Sequence, residues 1–401
     1  MRAAGIREFG APVELLELPE LRAPRPYEVL IDVRAGGMGN WDEIARTGGW
    51  DLGVRPPMAL GVEAAGVVAA VGDQVDGVRV GDRVTAHSLP LRDQGAWAEQ
   101  YIAAAEHVAA VPPDVPFDAA AALPVPALTA DQTIGDALGV RPGEAILVNG
   151  AGGVTGGMLV QLAAHRGATV IATAGPDSAD RLAALGAATV LDYHQPDWPK
   201  QVRALTQGGV DAAANAVPSG SARTMRAVRD RGRLATITSD PPAAERDITV
   251  RAVLVAPDGR RLGRLVQLLA QGALTVSVGE RFPLEQGAMA LARVGHGAPG
   301  SAVVLRPGPV TERPGGPAAL PGEHGPQRYP ASAATASVVS PARPGSTRLA
   351  WASASGPGGY SGCGMAMTRR PAAAAERSPL AESSTAAQSG GGQPSAAVTA
   401  R

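Results

Sequence analysis

Glu144-Ala-Ile-Leu-Val-Asn-Gly150-Ala-Gly-Gly153-Val-Thr-Gly156-Gly157, continued by Met158-Leu-Val-Gln-Leu-Ala-Ala164, is the stretch on which the fold turns. An apolar run of strand length stops in a knot of glycines, and apolar residues at helical spacing follow. The reading is strand, tight turn, helix. Glycine permits positive φ and close main-chain approach, and a new helix offers unpaired N–H groups and the positive end of its dipole. These are the parts of a phosphate cradle, with a plain structural turn in an α/β domain as the alternative. Gly150, Gly152 and Thr155 match G-x-G-x-x-G only in part, whereas Gly150, Gly153 and Gly156 fall on a regular G-x-x-G-x-x-G.

Working outward, the chain after Pro124 alternates strands with helices, as a doubly wound parallel sheet does. The expected strands are 145–149, 169–174, 189–192, 210–216, 233–238 and 250–256, with helices between them. Before residue 124 the texture differs. Short β-like runs at 28–34, 66–72, 82–86 and 98–103 are separated by turns such as Val80-Gly-Asp-Arg83, which predicts a compact, antiparallel, barrel-like β domain. A helical pattern at 284–293 and a strand at 301–305 follow the parallel sheet, and that strand is expected to return to the first domain. From 308 to 401 Pro, Gly, Ala, Ser and Arg dominate without a sustained period, too little apolar surface to offset chain entropy. This segment is expected to be a disordered low-complexity tail, with partner binding as its functional alternative. The expected organisation is thus a β domain over 1–123, a dinucleotide-binding domain over 124–258, a return over 259–307, and the tail.

The 401 residues carry 36 Lys and Arg against 37 Asp and Glu, so no broad positive field exists to favour nucleic acid or an anionic membrane. No signal-peptide core is present at Met1-Arg-Ala-Ala-Gly-Ile6, and no run approaches the roughly 18 apolar residues of a membrane span. The expectation is a cytoplasmic protein. The single cysteine, Cys363, allows neither an internal disulfide nor a cysteine-based zinc cluster. The six histidines, at 87, 107, 165, 194, 296 and 324, show no ligand spacing and read as surface or turn residues.

Five runs in order carry a resemblance: Gly61-Val-Glu-Ala-Ala-Gly66-Val-Val, Gly81-Asp-Arg-Val, Ala121-Ala-Leu-Pro124-Val-Pro-Ala-Leu-Thr129-Ala, Val148-Asn-Gly-Ala-Gly-Gly-Val-Thr-Gly156 and Gly209-Val-Asp211. Together they resemble the quinone oxidoreductase branch of the medium-chain dehydrogenase/reductase superfamily over residues 1–307. The resemblance implies a GroES-like β-barrel domain, a Rossmann doubly wound parallel sheet, NADPH in the cleft between them, and a homodimer. Zinc-dependent relatives place a histidine in a Gly-His-Glu triplet, and here that triplet is Gly61-Val62-Glu63. No metal ligands are therefore expected, and a tetrahedral zinc site is not.

Without a Lewis acid, hydride transfer needs an acceptor that is already electrophilic, such as a quinone or the β carbon of an α,β-unsaturated carbonyl. The alternatives are an enoyl reductase acting on acyl thioesters, a non-catalytic NADPH-binding protein, and a scaffold whose tail is the active part. By resemblance the segment Met38-Gly-Asn40-Trp41-Asp42-Glu-Ile44 lines the nicotinamide and acceptor pocket, with Asn40, Trp41 and Asp42 as its catalytic candidates. Asn40 precedes Asp42 by one residue fewer than the family pattern, and Ile44 stands where a tyrosine is common. No general acid is evident, so the proton is expected from solvent or from a water held by Asn40. Trp41 and Trp50 either wall the acceptor by stacking or pack at the loop base. Asp42 and Arg46 are alternatively an ion pair or a cap.

The second strand of the parallel sheet ends in Ala172-Thr-Ala174-Gly175, without the acid that NAD-specific folds use for the ribose 2′-OH. NADPH is therefore expected over NADH. The resemblance places a 2′-phosphate near Ser178 and Tyr193; the family lysine is missing, and Arg181 is the nearest cation. The remaining cofactor candidates are Gly150, Gly153, Val154, Thr155 and Gly156 for the diphosphate. Thr129, alternatively a helix cap, joins them, with Asn215 and Thr238 at the carboxyl edge of the sheet.

Overall fold

The computed structural model describes residues 1–297 and 300–308. The segment expected to be a tail lies, from residue 309 on, outside the described residues, as do Cys363 and His324. The chain opens with β1 (Arg2–Ile6), β2 (Glu14–Glu17), β3 (Glu28–Met38), α1 (Asn40–Arg46), β4 (Met58–Ala59), β5 (Glu63–Val71), β6 (Arg83–His87), β7 (Gln100–Ala104) and β8 (Val108–Ala110). β2, β1 and β4 form a small antiparallel sheet. β3, β5, β6 and β8 lie side by side and antiparallel, and β7 also pairs with β3. The fully buried rings of Trp97 and Tyr101 fill this domain's centre. The closeness of β3 to β5 explains Gly66, where a Cβ would lie 2.1 Å from the Asp32 carbonyl oxygen.

α2 (Phe117–Ala121) and α3 (Pro124–Gln132) lead into the second sheet. Its elements are β9 (Ala145–Asn149), α4 (Val154–His165), β10 (Thr169–Ala174), α5 (Ala179–Ala184), β11 (Ala187–Asp192), α6 (Trp198–Leu205), β12 (Val210–Asn215), α7 (Ser221–Met225), β13 (Val228–Thr236) and β14 (Thr249–Ala252). All six strands are parallel, in the order β11-β10-β9-β12-β13-β14. The order reverses between β9 and β12, and the crevice beyond their carboxyl ends is where open parallel sheets of this kind bind ligands. The central strands β9, β10 and β12 are almost wholly buried, as strands covered on both faces must be, while β14 at the edge is largely exposed.

α8 (Gly259–Ala270), β15 (Val278–Pro283), α9 (Gly287–Gly295) and β16 (Ala302–Arg306) complete the described chain. β16 runs antiparallel to β3, with Val304 opposite Gly37, and parallel to β15. The Asp118 carboxylate clamps this return, accepting hydrogen bonds from Arg281 and Arg306.

Two local expectations fail. No helix joins β13 to β14, because Pro241-Pro242 in that connection lack the N–H groups a helix needs. β15 gave no strand signal, since its residues alternate between exposed and half-buried and include Glu280, Arg281 and Pro283.

Candidate functional site

The glycine turn is formed as a cradle. Gly150 takes φ +83°, and a Cβ on Gly156 would lie 2.1 Å from the Gly150 carbonyl oxygen, so α4 starts closer to the turn than any other residue permits. Gly153 is the N-cap of α4, and the first-turn N–H groups of Val154, Thr155 and Gly156 have no intrahelical acceptors. At Gly152 a Cβ would meet only the Ser178 hydroxyl at 3.6 Å and the Ala174 methyl at 3.7 Å. The cradle therefore has room above it and a positive dipole end beneath it. These features fit a nucleotide diphosphate.

Behind the cradle lies a saturated hydrogen-bond network. The Asn149 amide donates to Asn215 Oδ1 at 2.8 Å and to Thr224, while its oxygen accepts from Thr173. Asn215, fully buried, donates in turn toward the Val217 carbonyl and the Ser221, Thr236 and Thr238 hydroxyls. Asp240 gathers the Ser221, Thr236 and Thr238 hydroxyls on one carboxylate oxygen. Burial raises its pKa, yet these donors outweigh that and hold it below the usual carboxylate value. Asn215 and Thr238, expected as cofactor ligands, lie within this network at the crevice edge. Asn149 and Asp240 escaped notice because nothing local in the sequence pairs residues that far apart.

Thr129 lies in the interior of α3, where its hydroxyl donates to the Val125 carbonyl at 2.7 Å. It does not cap a helix, because Pro124 and Pro126 start α3 earlier. Ser178 is buried beside Gly152, and half-exposed Tyr193 lies 3.8 Å from the Cβ position of Gly175 at the tip of β10. Arg181 donates to the Gly152 carbonyl at 2.8 Å and borders a pocket of about 360 Å³ with Val154, Gly157, Thr275 and Ser277. Burial alone lowers its pKa. Its guanidinium thus serves the glycine turn directly.

Asn40, Trp41 and Asp42 meet at the β3–α1 corner. Asn40 is exposed as the first residue of α1, and the N-cap is Gly39, whose N–H donates to Asp42 Oδ2 at 2.9 Å. Asp42 is fully buried, with Oδ1 lacking a partner. It does not pair with Arg46, which engages Glu43 and the Gly10 and Ala11 carbonyls. Trp41 folds back over Gly39, where a Cβ would come within 2.3 Å of its ring, and its indole N–H is buried without an acceptor. Trp41 and Trp50 both pack on the apolar core. Burial against a single N–H donor raises the Asp42 pKa to about 8. Burial likewise pushes Glu63 well above its ordinary value, although it accepts the Val125 N–H at 2.7 Å.

His87 departs from the surface role expected of it. It is buried between strands, its Nδ1 lies 3.0 Å from the Val62 carbonyl, and burial lowers its pKa to about 4. Among the described residues no three His, Cys, Asp or Glu side chains gather as a metal site. The donor set does not fit zinc. Among the described residues, too, no helix is long and apolar enough to cross a membrane.

Comparison with known proteins agrees with this architecture. The alcohol dehydrogenase GroES-like domain family matches residues 25–113, and the zinc-binding dehydrogenase family matches residues 185–304. The chain is 26% identical to mouse quinone oxidoreductase, aligning over 74% of this chain and 95% of that protein. It is 34% identical to a zebrafish synaptic vesicle membrane protein VAT-1 homolog, but there it spans only 37% of the relative's length and 46% of its own. Among solved structures, an NAD-dependent alcohol dehydrogenase superposes with TM-score 0.70 at 32% identity, covering 77% of this chain and all (100%) of that one. A mycobacterial protein complexed with NADPH gives 0.67 at 29% identity over 77% of this chain and 100% of that chain. The two-domain fold with a glycine cradle at the sheet's switch point is that of a nucleotide-dependent dehydrogenase. This chain belongs to the medium-chain dehydrogenase/reductase superfamily of oxidoreductases.

Proposed function

We propose that the chain is an NADPH-dependent, zinc-independent oxidoreductase that reduces a quinone or an α,β-unsaturated carbonyl. The observation that carries this reading is the contact of Gly156 with the Gly150 carbonyl, which seats the α4 N-terminus at the switch point. Gly150, Gly153, Val154, Thr155 and Gly156 would hold the diphosphate, and Ser178 and Tyr193 the adenosine ribose. When bound, the reduced nicotinamide supplies a hydride. The chain's own residues orient the ligands, keep the crevice dry and provide for a proton at the acceptor oxygen.

The β10 tip, Ala174-Gly175, carries no acid to repel a 2′-phosphate. The two structural relatives differ by name in their nucleotide, so the preference for NADPH rests on this chain's own tip. A homodimer in the cytoplasm remains part of the proposal, and light scattering of the purified chain tests its first half. The deciding experiment is a panel of quinones, enones and enoyl thioesters, followed by nicotinamide absorbance. Turnover of quinones or enones with NADPH above NADH is expected. Equal kcat/KM with both nucleotides overturns the cofactor assignment, and faster turnover of the thioesters overturns the acceptor assignment.

A further inference from the structure

Four neighbouring strands bring one row of residues together. β5 pairs with β6 so that Glu63 stands opposite His87. β6 pairs with β8 through Ala86 and Val108, and His107, in the single turn that precedes β8, lies near enough to His87 to help lower its pKa. β3 pairs with β5 through Gly36 and Ala64, so Gly37 flanks Glu63 on the other side. Directly opposed residues of antiparallel strands share a face, with Cβ atoms about 5 Å apart. The row is therefore Gly37, Glu63, His87, His107. Gly37 has no side chain, and the Glu63 carboxyl occupies its space: a Cβ there would lie 2.5 Å from Oε1. Through that gap Glu63 borders the corner that holds Asp42.

Unpartnered atoms fall along the same row. Asp42 Oδ1, His87 Nε2 and His107 Nδ1 are all buried without hydrogen-bond partners, as is the hydroxyl of neighbouring Ser88. Asp42 is 0% and His87 1% exposed. Buried polar atoms of native proteins are rarely orphaned, and ordered water is the usual partner where side chains supply none. At the outer end, His107 Nε2 lies 3.7 Å from Glu106, whose side chain is 80% exposed. The row thus runs from solvent to the Gly39–Trp41 turn.

We propose that Asp42, Glu63, His87 and His107 form a water-bridged proton relay from solvent beside Glu106 to an acceptor bound over the Gly39–Trp41 turn. The relay rests on the hydride-transfer reading. After hydride addition the acceptor oxygen carries the negative charge. A new O–H bond forms there as a bridging water gives up a proton and takes one from Asp42 Oδ1, and the Asp42 carboxylate recovers a proton from Glu63. Glu63 is reprotonated by way of His87 Nε2 and His107, so one proton is taken from solvent per turnover and no electrons travel along the row.

The charge states suit this direction. Burial raises the pKa of both inner carboxyls, that of Asp42 to about 8, and lowers that of His87 to about 4, leaving an open lone pair at Nε2 while Nδ1 faces the Val62 carbonyl. The Tyr101 hydroxyl donates to the same carbonyl at 3.2 Å. Burial, chiefly, lowers His107; Glu106 and Asp258 raise it and Arg92 lowers it further.

Two measurements on the full-length protein test the relay. In stopped flow with NADPH and a quinone in weak buffer, a pH-indicator dye reports proton uptake and nicotinamide absorbance reports hydride loss. His107→Leu and His87→Gln are expected to lower the ratio of the two rates by about tenfold or more, and added imidazole to restore it for His107→Leu. Infrared spectroscopy after mixing into D2O needs no turnover: the protonated-carboxyl bands lost in Asp42→Asn and Glu63→Gln are expected to exchange about tenfold slower in His107→Leu. Equal exchange rates in wild type and both histidine variants overturn the relay. A wild type that oxidises no NADPH with any acceptor, yet shows the retarded exchange in its variants, overturns the hydride reading while supporting the proton path.

Discussion

Two alanine substitutions, at Gly152 and Gly156, separate the fold of the cradle from its occupancy. In Gly156→Ala the new methyl would stand 2.1 Å from the Gly150 carbonyl oxygen and 2.7 Å from the Ala151 Cα, both main-chain atoms. Reaching an ordinary 3.4 Å contact moves the turn by about 1.3 Å, an overpacking that costs about 1–3 kcal/mol. Tm should fall by roughly 2–10 °C. In Gly152→Ala the methyl meets nothing nearer than 3.6 Å and φ is not positive, so stability should hold or rise slightly. The same methyl projects into the space assigned to the diphosphate, and NADPH affinity should drop about tenfold, or about 1.4 kcal/mol. Calorimetric melting and NADPH fluorescence titration read the two effects separately. Unchanged NADPH binding in Gly152→Ala refutes the placement of the diphosphate. Unchanged melting in Gly156→Ala refutes the close approach of α4 to the turn.

Asn215→Ala removes one of the two acceptors of the Asn149 amide and the Asn215 bonds to Ser221, Thr236 and Thr238, whose hydroxyls keep Asp240, and should cost about 1–3 kcal/mol in urea unfolding; a loss confined to nucleotide affinity would return Asn215 to the ligand set. Asp42 has a folded pKa of about 8 against an ordinary 3.8. Its contribution to stability is full below 3.8 and is lost as pH rises toward 8, by about 1.4 kcal/mol per unit for one group. Asp42→Asn should therefore flatten the stability profile between roughly pH 4 and 8, and an unaltered slope would show that Asp42 is ionised in the fold. For Asp118, burial acts to raise the pKa, but hydrogen bonds from Arg306 and Arg281 outweigh it, so its stabilisation is present at neutral pH and is lost in acid. With both arginines about half exposed, Asp118→Ala should cost about 1–2 kcal/mol, measured as a Tm difference that shrinks at low pH.

The cradle and the parallel sheet could be read from residues 144–164 because their information is local: strand, glycine turn and helix are consecutive, and glycine has one physical use there. The β3–α1 corner could not be read so well. Spacing alone does not reveal that Gly39 is the N-cap there and that its N–H donates to the Asp42 carboxylate. The alternative of Thr129 as a helix cap fails because the two prolines place the start of α3 before it. Glu63 was visible as part of a triplet, but its neighbours were not. His87 and His107 come beside it only through the register of three strands, and register is set by pairing across turns.

The pairing of β16 with β3 has a consequence for synthesis. On a ribosome, β3 emerges early and must wait for the last described strand, with the whole parallel sheet made in between. The parallel sheet needs no residue beyond Ala252 for its strands and is free to close first. The nascent β domain would meanwhile leave the Gly36–Met38 end of β3 unpaired on that side, since β7 covers only Glu28–Asp32, until residue 306 clears the exit tunnel.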